Sequence, residues 1–214
     1  MADDYLYDVF ISYERDGLTA GWLRDHFLPL FRTWLRMAIS DVCKRNAQPV
    51  FFDKSQTDPT FSEDLKLGLA GIEPGDDWDE SLRKAIRLSR CMVGIWSPPY
   101  FESEWCNVEW QSFDLRAVST ERKLIIPGSF YDGRSFPERA NKIQRFDLSK
   151  FTLFGPALIN SRHYEDFQDT VKRMAEKVAY AIRDAPPFSE WPIANSKQDN
   201  PPRPPPPPLP LTRF

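Results

Sequence analysis

The sequence is poor in the residues that most often build metal and redox sites. It has only two histidines, His26 and His163, and three cysteines among 214 residues. Cysteines that are few, widely spaced and set among hydrophobic residues are typical of reduced core thiols rather than of a disulfide scaffold or a zinc site. We therefore expect no bound metal, and histidine-based catalysis has few residues to draw on.

Basic clusters, long apolar runs and a secretory signal are also missing. No cluster of five or more lysines and arginines occurs and the net charge is -3, so nucleic acid is not expected as a partner. The longest apolar run, Cys91–Trp96, is far too short to span a membrane. Residues 1–4 are acidic and lack the apolar region of a signal peptide. These absences predict a cytoplasmic protein without a membrane partner.

Proline, by contrast, is abundant and unevenly placed. Eleven of the twenty prolines lie after residue 185. Because proline lacks an N–H group and fixes φ, this end of the chain is expected to form neither helix nor central strand. The composition therefore predicts a globular domain over residues 5–185 and a proline-rich disordered linker or tail over residues 186–214. Within the tail, residues 200–210 are expected to form a polyproline II spacer.

Strand and helix patterns alternate along residues 5–185. The runs rich in β-forming residues are Tyr7–Tyr13, Val50–Phe52, Cys91–Trp96, Lys123–Ile126 and Arg145–Leu148. Helical periodicity lies between and after them, over 20–41, 76–86, 104–119 and 164–185, with Pro29 expected to kink or divide the first helix. This order predicts an α/β fold with a doubly wound, five-stranded parallel sheet, in which ligands bind beyond the carboxyl ends of the strands.

The segment after the first strand excludes two common classes of nucleotide-binding protein. Residues 12–17 contain neither the glycine pattern of a dinucleotide-binding turn nor that of a P-loop. A conventional Rossmann dehydrogenase and a P-loop NTPase are therefore not expected.

Glu109 is the carboxylate with the most informative position. It lies one helical turn after Trp105, on the helix that follows the third strand, at the edge of an apolar stripe. A partly desolvated carboxylate has a raised pKa and suits general acid–base or charge-stabilising chemistry. The pattern alone also permits an ordinary exposed glutamate beside aromatic residues that pack in the core.

Five short motifs, in this order, resemble a Toll/interleukin-1 receptor (TIR) domain. They are Tyr7–Tyr13, Val50–Asp53, Pro74–Trp78, the strand end Ser97–Pro98, and the pair Trp105 and Glu109. The resemblance covers residues 5–185 and implies the flavodoxin-like TIR fold. The sequence is most similar to the enzymatic, bacterial-type branch of the family, which cleaves NAD⁺ between nicotinamide and ribose with a glutamate in a Trp-x-x-x-Glu arrangement.

The resemblance implies a role for each matching residue. Glu109 matches the catalytic glutamate, and the expected substrate-binding residues are Tyr13, Arg15, Asp53 and Trp105. NAD⁺ is then the substrate, and no cofactor or metal is needed.

A second group of residues is implied to serve self-association. Pro74, Gly75 and Trp78 match the BB loop, which gates the site and contacts the next protomer. Phe136 matches the position from which a neighbouring chain offers an aromatic ring to adenine. Two features depart from the enzymatic pattern: Glu14 stands where a basic residue is usual, and the segment 54–76 is longer than usual.

The resemblance therefore implies an NAD⁺ glycohydrolase that releases nicotinamide and ADP-ribose or a cyclic variant. Self-association with other TIR domains would activate it, as in immune and cell-death effectors such as those of antiphage defence. The C-terminal linker would connect it to a sensor domain or partner protein. One alternative is a non-catalytic TIR signalling module that acts through TIR–TIR contacts. Another is an enzyme of the nucleoside deoxyribosyltransferase type, against which residues 10–13 argue.

Overall fold

A parallel sheet forms the centre of the computed structural model, which describes residues 5–15, 18–53, 68–72 and 75–194. Its strands are β1 (Tyr7–Tyr13), β2 (Val50–Phe51), β3 (Leu69–Ala70), β4 (Ser89–Trp96), β5 (Ile125–Ser129) and β6 (Phe146–Asp147). Across these described ranges the six strands pair in the order β3-β2-β1-β4-β5-β6, and every pair is parallel. The predicted α/β class and parallel sheet are confirmed.

The sheet has one strand more than the sequence predicted. β3 pairs with β2 through Val50 opposite Leu69 and Phe51 opposite Ala70. A strand of two residues inside a polar stretch has no periodicity to reveal it, so its existence depends on the neighbouring strand.

Helices connect the strands on both faces of the sheet. They are α1 (Leu18–Trp22), α2 (Leu28–Cys43), α3 (Trp78–Leu88), α4 (Pro98–Glu102), α5 (Glu104–Thr120), α6 (Glu138–Asn141), α7 (Pro156–Ile159) and α8 (Tyr164–Arg183). A π-helical turn, Leu23–Phe27, joins α1 to α2, and a 3₁₀ turn, Ser149–Phe151, precedes α7. None of the described helices is both long enough and apolar enough to cross a membrane.

The long N-terminal helix is irregular at Pro29, where the sequence predicted a kink or a division. It is the second residue of α2, directly after the π-helical turn. Proline has no N–H for the carbonyl four residues earlier, and its ring would collide with that carbonyl in a regular α-helix. A wider turn before the proline relieves the collision, so the helix continues with an irregular turn rather than ending.

The sheet separates two apolar cores. On one face Trp22, Phe31 and Met174 pack from α1, α2 and α8, and all three are completely buried. On the other face the buried residues of α3 and α5, such as Ile86 and Phe113, pack against the strands. Every residue of β4 is buried, as expected for a central parallel strand covered on both sides.

The chain winds outward from the middle of this sheet in two directions. It runs from β1 to β2 and β3 on one side, and from β4 to β5 and β6 on the other. The winding reverses between β1 and β4, which is where doubly wound sheets bind ligands, beyond the carboxyl ends of the strands. The end of β1, the loop after β2 and the helices after β4 therefore meet at one edge.

The segment 186–194, which we call the C-terminal strap, packs against the domain. Tyr5 donates its hydroxyl to the carbonyl of Pro186 at 3.2 Å, and the backbone N–H of Ala194 donates to Ser112 Oγ at 2.9 Å. The Trp191 ring lies 5.0 Å from the buried guanidinium of Arg116. The contacts of the domain thus extend beyond the boundary predicted at residue 185. The remainder of the predicted linker, residues 195–214, lies outside the described residues.

Candidate active site

Three elements bring the site together at the carboxyl edge of the sheet. β1 ends at Tyr13, the turn after β2 carries Asp53, and α5 begins after the end of β4. Ser103 sets the start of α5 by accepting a hydrogen bond from the N–H of Cys106 at 3.3 Å, as an N-cap serine does. The first two turns of α5 then carry Trp105 and Glu109 toward the ends of β1 and β2.

Glu109 is buried, with only 6% of its surface exposed. Its Oε2 accepts a hydrogen bond of 2.5 Å from the hydroxyl of Ser12 on β1. Burial raises the pKa of Glu109 to about 8, the Ser12 hydrogen bond and the charge of Arg15 oppose this rise, and the charge of Asp53 adds to it. The carboxyl group is therefore mostly neutral at pH 7. The alternative interpretation of Glu109 as an ordinary exposed glutamate is wrong, because its side chain is buried.

Tyr13, Asp53 and Arg15 form a second group beside Glu109. Tyr13 donates its hydroxyl to Asp53 Oδ1 at 2.6 Å, and Arg15 makes an ion pair with Asp53 Oδ2. The Tyr13 ring stacks on Phe52 at 5.0 Å, which fixes its direction. Burial and the negative charge of Asp53 both raise the pKa of the Tyr13 phenol, so it remains a hydrogen-bond donor. Three of the four predicted substrate-binding residues thus contact one another directly.

The fourth predicted residue, Trp105, lies in an aromatic and cationic stack. The Trp105 ring meets Trp78 edge to face, with centroids 4.7 Å apart at 89°. The Arg15 guanidinium lies 4.0 Å from the Trp78 ring, and the Arg83 guanidinium lies 5.3 Å from the Trp105 ring. Arg15, which the resemblance assigned to the pyrophosphate, is therefore bound to Asp53 and Trp78 in this structure.

Two hydroxyl groups at the site were missed by the sequence reasoning. Ser12 Oγ lies 2.7 Å from Tyr100 Oη, and neither side chain is exposed. Tyr100 sits in the short helix α4, where the sequence suggested only that Pro98 and Pro99 end a strand. The sequence did contain a signal for Ser12, because a polar residue between the apolar residues of a strand needs a hydrogen-bond partner when the strand is buried.

Phe136, which the resemblance assigned to the adenine of a neighbouring chain, lies in the core of its own chain in this structure. Its exposed fraction is 5%, and its ring packs at 5.0 Å from Phe101 and 6.3 Å from Trp96 in the core beneath α5. Stacking on a ligand of another protomer would require this ring to leave its own core.

The expected self-association residues are only partly described. Gly75 is exposed and has a φ of +100°, a conformation that glycine adopts without strain, and the half-buried Trp78 begins α3. Pro74 and most of the long segment, residues 54–67 and 73–74, lie outside the described residues.

No group of three or more His, Cys, Asp or Glu side chains within residues 5–15, 18–53, 68–72 and 75–194 is close enough to hold a metal ion. Within these ranges the titratable side chains at the sheet edge include Glu109, Asp53, Arg15, two tyrosines and Cys106. Burial raises the pKa of Cys106, whose thiol donates to the carbonyl of Tyr13 at 3.4 Å. The raised pKa keeps this thiol protonated, and a protonated thiol is a poor nucleophile.

A sequence-family model described as "TIR domain" matches residues 65–159. Residues 65–159 of the chain are therefore similar to a TIR domain. The match contains Trp78, Trp105 and Glu109 and extends from β3 to α7, whereas β1 lies before it.

Two solved structures also resemble this chain. The TIR domain of the Toll-related receptor TRR-2 from Hydra magnipapillata is 19% identical, with a TM-score of 0.40, over 77% of this chain and 98% of the other. The TIR domains of the activated Roq1 resistosome, which recognises the pathogen effector XopQ, are 22% identical, with a TM-score of 0.33, over 81% and 84%. No curated protein matches the sequence.

Proposed function

We propose that this TIR domain cleaves NAD⁺ at the bond between nicotinamide and ribose, and that self-association activates it. The observation that carries the proposal is the position of Glu109. It is a buried carboxyl group at the edge where a doubly wound sheet binds ligands, hydrogen-bonded to Ser12 and next to the Tyr13–Asp53–Arg15 group. Perturbed carboxyl groups in such places are concentrated at functional sites.

The proposed reaction needs one well-placed carboxylate and no metal. As the C1′–N bond breaks, nicotinamide leaves with the bonding electron pair and the ribose carbon becomes an oxocarbenium-like cation. The Glu109 carboxylate stabilises this positive charge and accepts hydrogen bonds from the ribose hydroxyls. Water then adds to the cation and releases a proton, giving ADP-ribose. If a nitrogen of the adenine attacks instead, the product is a cyclic variant.

The raised pKa of Glu109 agrees with a site that is closed to solvent when no substrate is bound. At pH 7 most molecules hold the neutral carboxyl group. Because the nicotinamide end of NAD⁺ is cationic, its arrival favours the ionised form and lowers the pKa of Glu109. Substrate and the catalytic carboxylate therefore stabilise each other.

The closed site must open before NAD⁺ can bind, and self-association provides the contacts that open it. Glu109 is almost inaccessible, and Arg15 is held by Asp53 and by the Trp78 ring. We infer that contacts with a neighbouring TIR domain near Gly75 and Trp78 move Trp78 and free Arg15 for the pyrophosphate of NAD⁺. The chain that follows the C-terminal strap would bring in the sensor or partner that starts assembly, as in an immune or cell-death effector.

The alternative function is a non-catalytic module that acts through TIR–TIR contacts. The observation in its favour is that Glu109 is buried, mostly neutral and already hydrogen-bonded to Ser12. Such a group can serve the core without ever meeting a ligand.

An assay of nicotinamide release distinguishes the two functions. The purified chain is incubated with NAD⁺ at high protein concentration and with a crowding agent, and free nicotinamide is measured by chromatography. We expect release by the wild-type protein and by the matched control Glu102→Gln, which changes an exposed glutamate on α4, and none by Glu109→Gln. Activity that survives in Glu109→Gln excludes the assigned site, and no release under any assembling condition favours the non-catalytic module.

A further inference from the structure

Glu109 ends a continuous chain of hydrogen bonds that runs through polar side chains of α4 and β1. Tyr100 Oη lies 2.7 Å from Ser12 Oγ, and Ser12 Oγ lies 2.5 Å from Glu109 Oε2. Tyr100 and Ser12 are completely buried, and Glu109 is 6% exposed. Buried hydroxyl groups in an otherwise apolar core need partners, and these two find them in each other and in the carboxyl group.

The chain can run in either direction, because a hydroxyl both donates and accepts. When Glu109 is ionised, Tyr100 donates to Ser12 and Ser12 donates to the carboxylate. When Glu109 is protonated, its own proton can be donated to Ser12, which then donates to Tyr100. Both charge states of a buried carboxyl group are thus hydrogen-bonded without moving any heavy atom.

The same geometry fixes how the carboxyl group is presented. Oε2 is bound to Ser12, and among the described residues Oε1 has no hydrogen bond. One oxygen is therefore fixed by the protein, and the other remains for a ligand.

We propose that Ser12 and Tyr100 are positioning residues for Glu109: they hold its Oε2 and stabilise its ionised form, so that Oε1 meets the ribose of the substrate. The role in catalysis rests on the proposed function. The effect of the two hydroxyls on the ionisation of Glu109 does not, because the hydrogen bonds are present in the chain alone.

Other groups around Glu109 also influence its ionisation. Facing it within the described residues are Asp53 after β2, Arg15 and Tyr13 at the end of β1, and Cys106 on the same helix. Asp53 raises the pKa of Glu109 and Arg15 lowers it. A test of the two hydroxyl groups must leave these four groups unchanged. Substitutions of Ser12 on β1 and of Tyr100 on α4 meet this condition.

Difference infrared spectroscopy across a pH titration tests the proposal without any need for activity. The C=O stretch of the protonated carboxyl group disappears as Glu109 ionises, and Glu109→Gln identifies the band. In the wild-type protein we expect the midpoint near pH 8. Ser12→Ala removes a hydrogen bond that is stronger to the charged carboxylate than to the neutral carboxyl group, so its midpoint should rise by about one pH unit. Tyr100→Phe, one step further away, should raise it by less.

Matched controls separate this effect from a general loss of packing. Ser89→Ala removes a buried hydroxyl that donates to the carbonyl of Ala85, and Tyr5→Phe removes one that donates to Pro186. Neither residue contacts Glu109, and both variants should titrate like the wild-type protein. Ser12→Cys, which keeps the volume and offers only a weak donor, replaces Ser12→Ala if that variant does not fold.

The outcomes are distinct. A wild-type midpoint in a folded Ser12→Ala or Ser12→Cys protein overturns the proposal, and a shift in Ser12→Ala without any in Tyr100→Phe removes Tyr100 from it. If the protein cleaves NAD⁺, the acidic limb of the pH profile of kcat/KM, which reports the free protein, should move upward with the infrared midpoint, giving about a tenfold lower kcat/KM in Ser12→Ala at pH 7. Absence of nicotinamide release would refute the proposed function alone.

Discussion

Replacing the carboxyl group of Glu109 by an amide should stabilise the protein at alkaline pH. The ordinary pKa of a glutamate is 4.5, and burial raises that of Glu109 to about 8. Below pH 4.5 the folded and unfolded chains both hold the proton, so the full stability is present. Between pH 4.5 and about 8 the unfolded chain releases the proton while the folded chain keeps it. Stability therefore falls as pH rises through this window.

The size of the effect follows from the same two values. Each pH unit of the window lowers the free energy of unfolding by about 1.4 kcal/mol. The whole window then corresponds to a loss on the order of 3 to 5 kcal/mol, a large part of the stability of a typical domain. Glu109→Gln has no proton to release and keeps nearly the same shape. Its advantage over the wild-type protein should be small at pH 5 and reach a few kcal/mol near pH 9.

Urea unfolding followed by tryptophan fluorescence measures this difference directly. Trp22 and Trp96 are completely buried, so unfolding will change their emission. Curves are recorded at pH 5, 7 and 9 for the wild-type protein, Glu109→Gln and the exposed control Glu102→Gln. The control should keep the wild-type pH dependence. Parallel pH dependences for the wild-type protein and Glu109→Gln would refute the argument that Glu109 is buried in its neutral form.

Three further perturbations test other parts of the structure. Trp78→Ala removes the contacts with Trp105 and Arg15, and should change the oligomer size in light scattering and the rate of nicotinamide release; if neither changes, the assignment to a self-association surface is wrong. Phe136→Ala should lower the free energy of unfolding by about 3 to 5 kcal/mol, because the ring is in the core; a loss of assembly at unchanged stability would restore its role between protomers. A chain that ends at residue 185 should melt at a lower temperature than one that ends at residue 194. Equal melting temperatures would show that the C-terminal strap does not stabilise the domain.

Much of the fold was predictable because its strands are strongly patterned. β1 is rich in β-forming residues, and residues Cys91–Trp96 of β4 are apolar on both faces, which identified a central strand of a parallel sheet. Asp77 and Ser103 stand at the starts of α3 and α5, and their side chains accept hydrogen bonds from the helices as N-caps do. These signals are local, and a sequence displays them directly.

The features that the sequence did not reveal depend on distant contacts. β3 exists because β2 provides backbone partners, and Tyr100 matters because the chain folds its ring onto Ser12, 88 positions away in sequence. The C-terminal strap was assigned to the linker from its prolines. Its Trp191 nevertheless packs on the side chain of Arg116, a contact that no local rule predicts.

The sequence predicted which residues lie together at the candidate site, but not how their side chains contact one another. Glu109, Tyr13, Asp53 and Arg15 do meet at one edge of the sheet. The contacts between these side chains depend on packing, and the sequence did not predict them. Arg15 pairs with Asp53, and the buried Glu109 is hydrogen-bonded to Ser12. Because these contacts keep the site closed, the proposed enzyme is expected to be inactive until it self-associates.

The central claim is that the Glu109 carboxylate cleaves NAD⁺, and one comparison tests it most directly. The rate of nicotinamide release per domain is measured for the wild-type protein and for Glu109→Gln in preparations that light scattering has shown to be assembled equally. We predict release by the assembled wild-type protein and none above background by assembled Glu109→Gln. Equal rates in the two proteins, or no release from a fully assembled wild-type protein, would contradict the account.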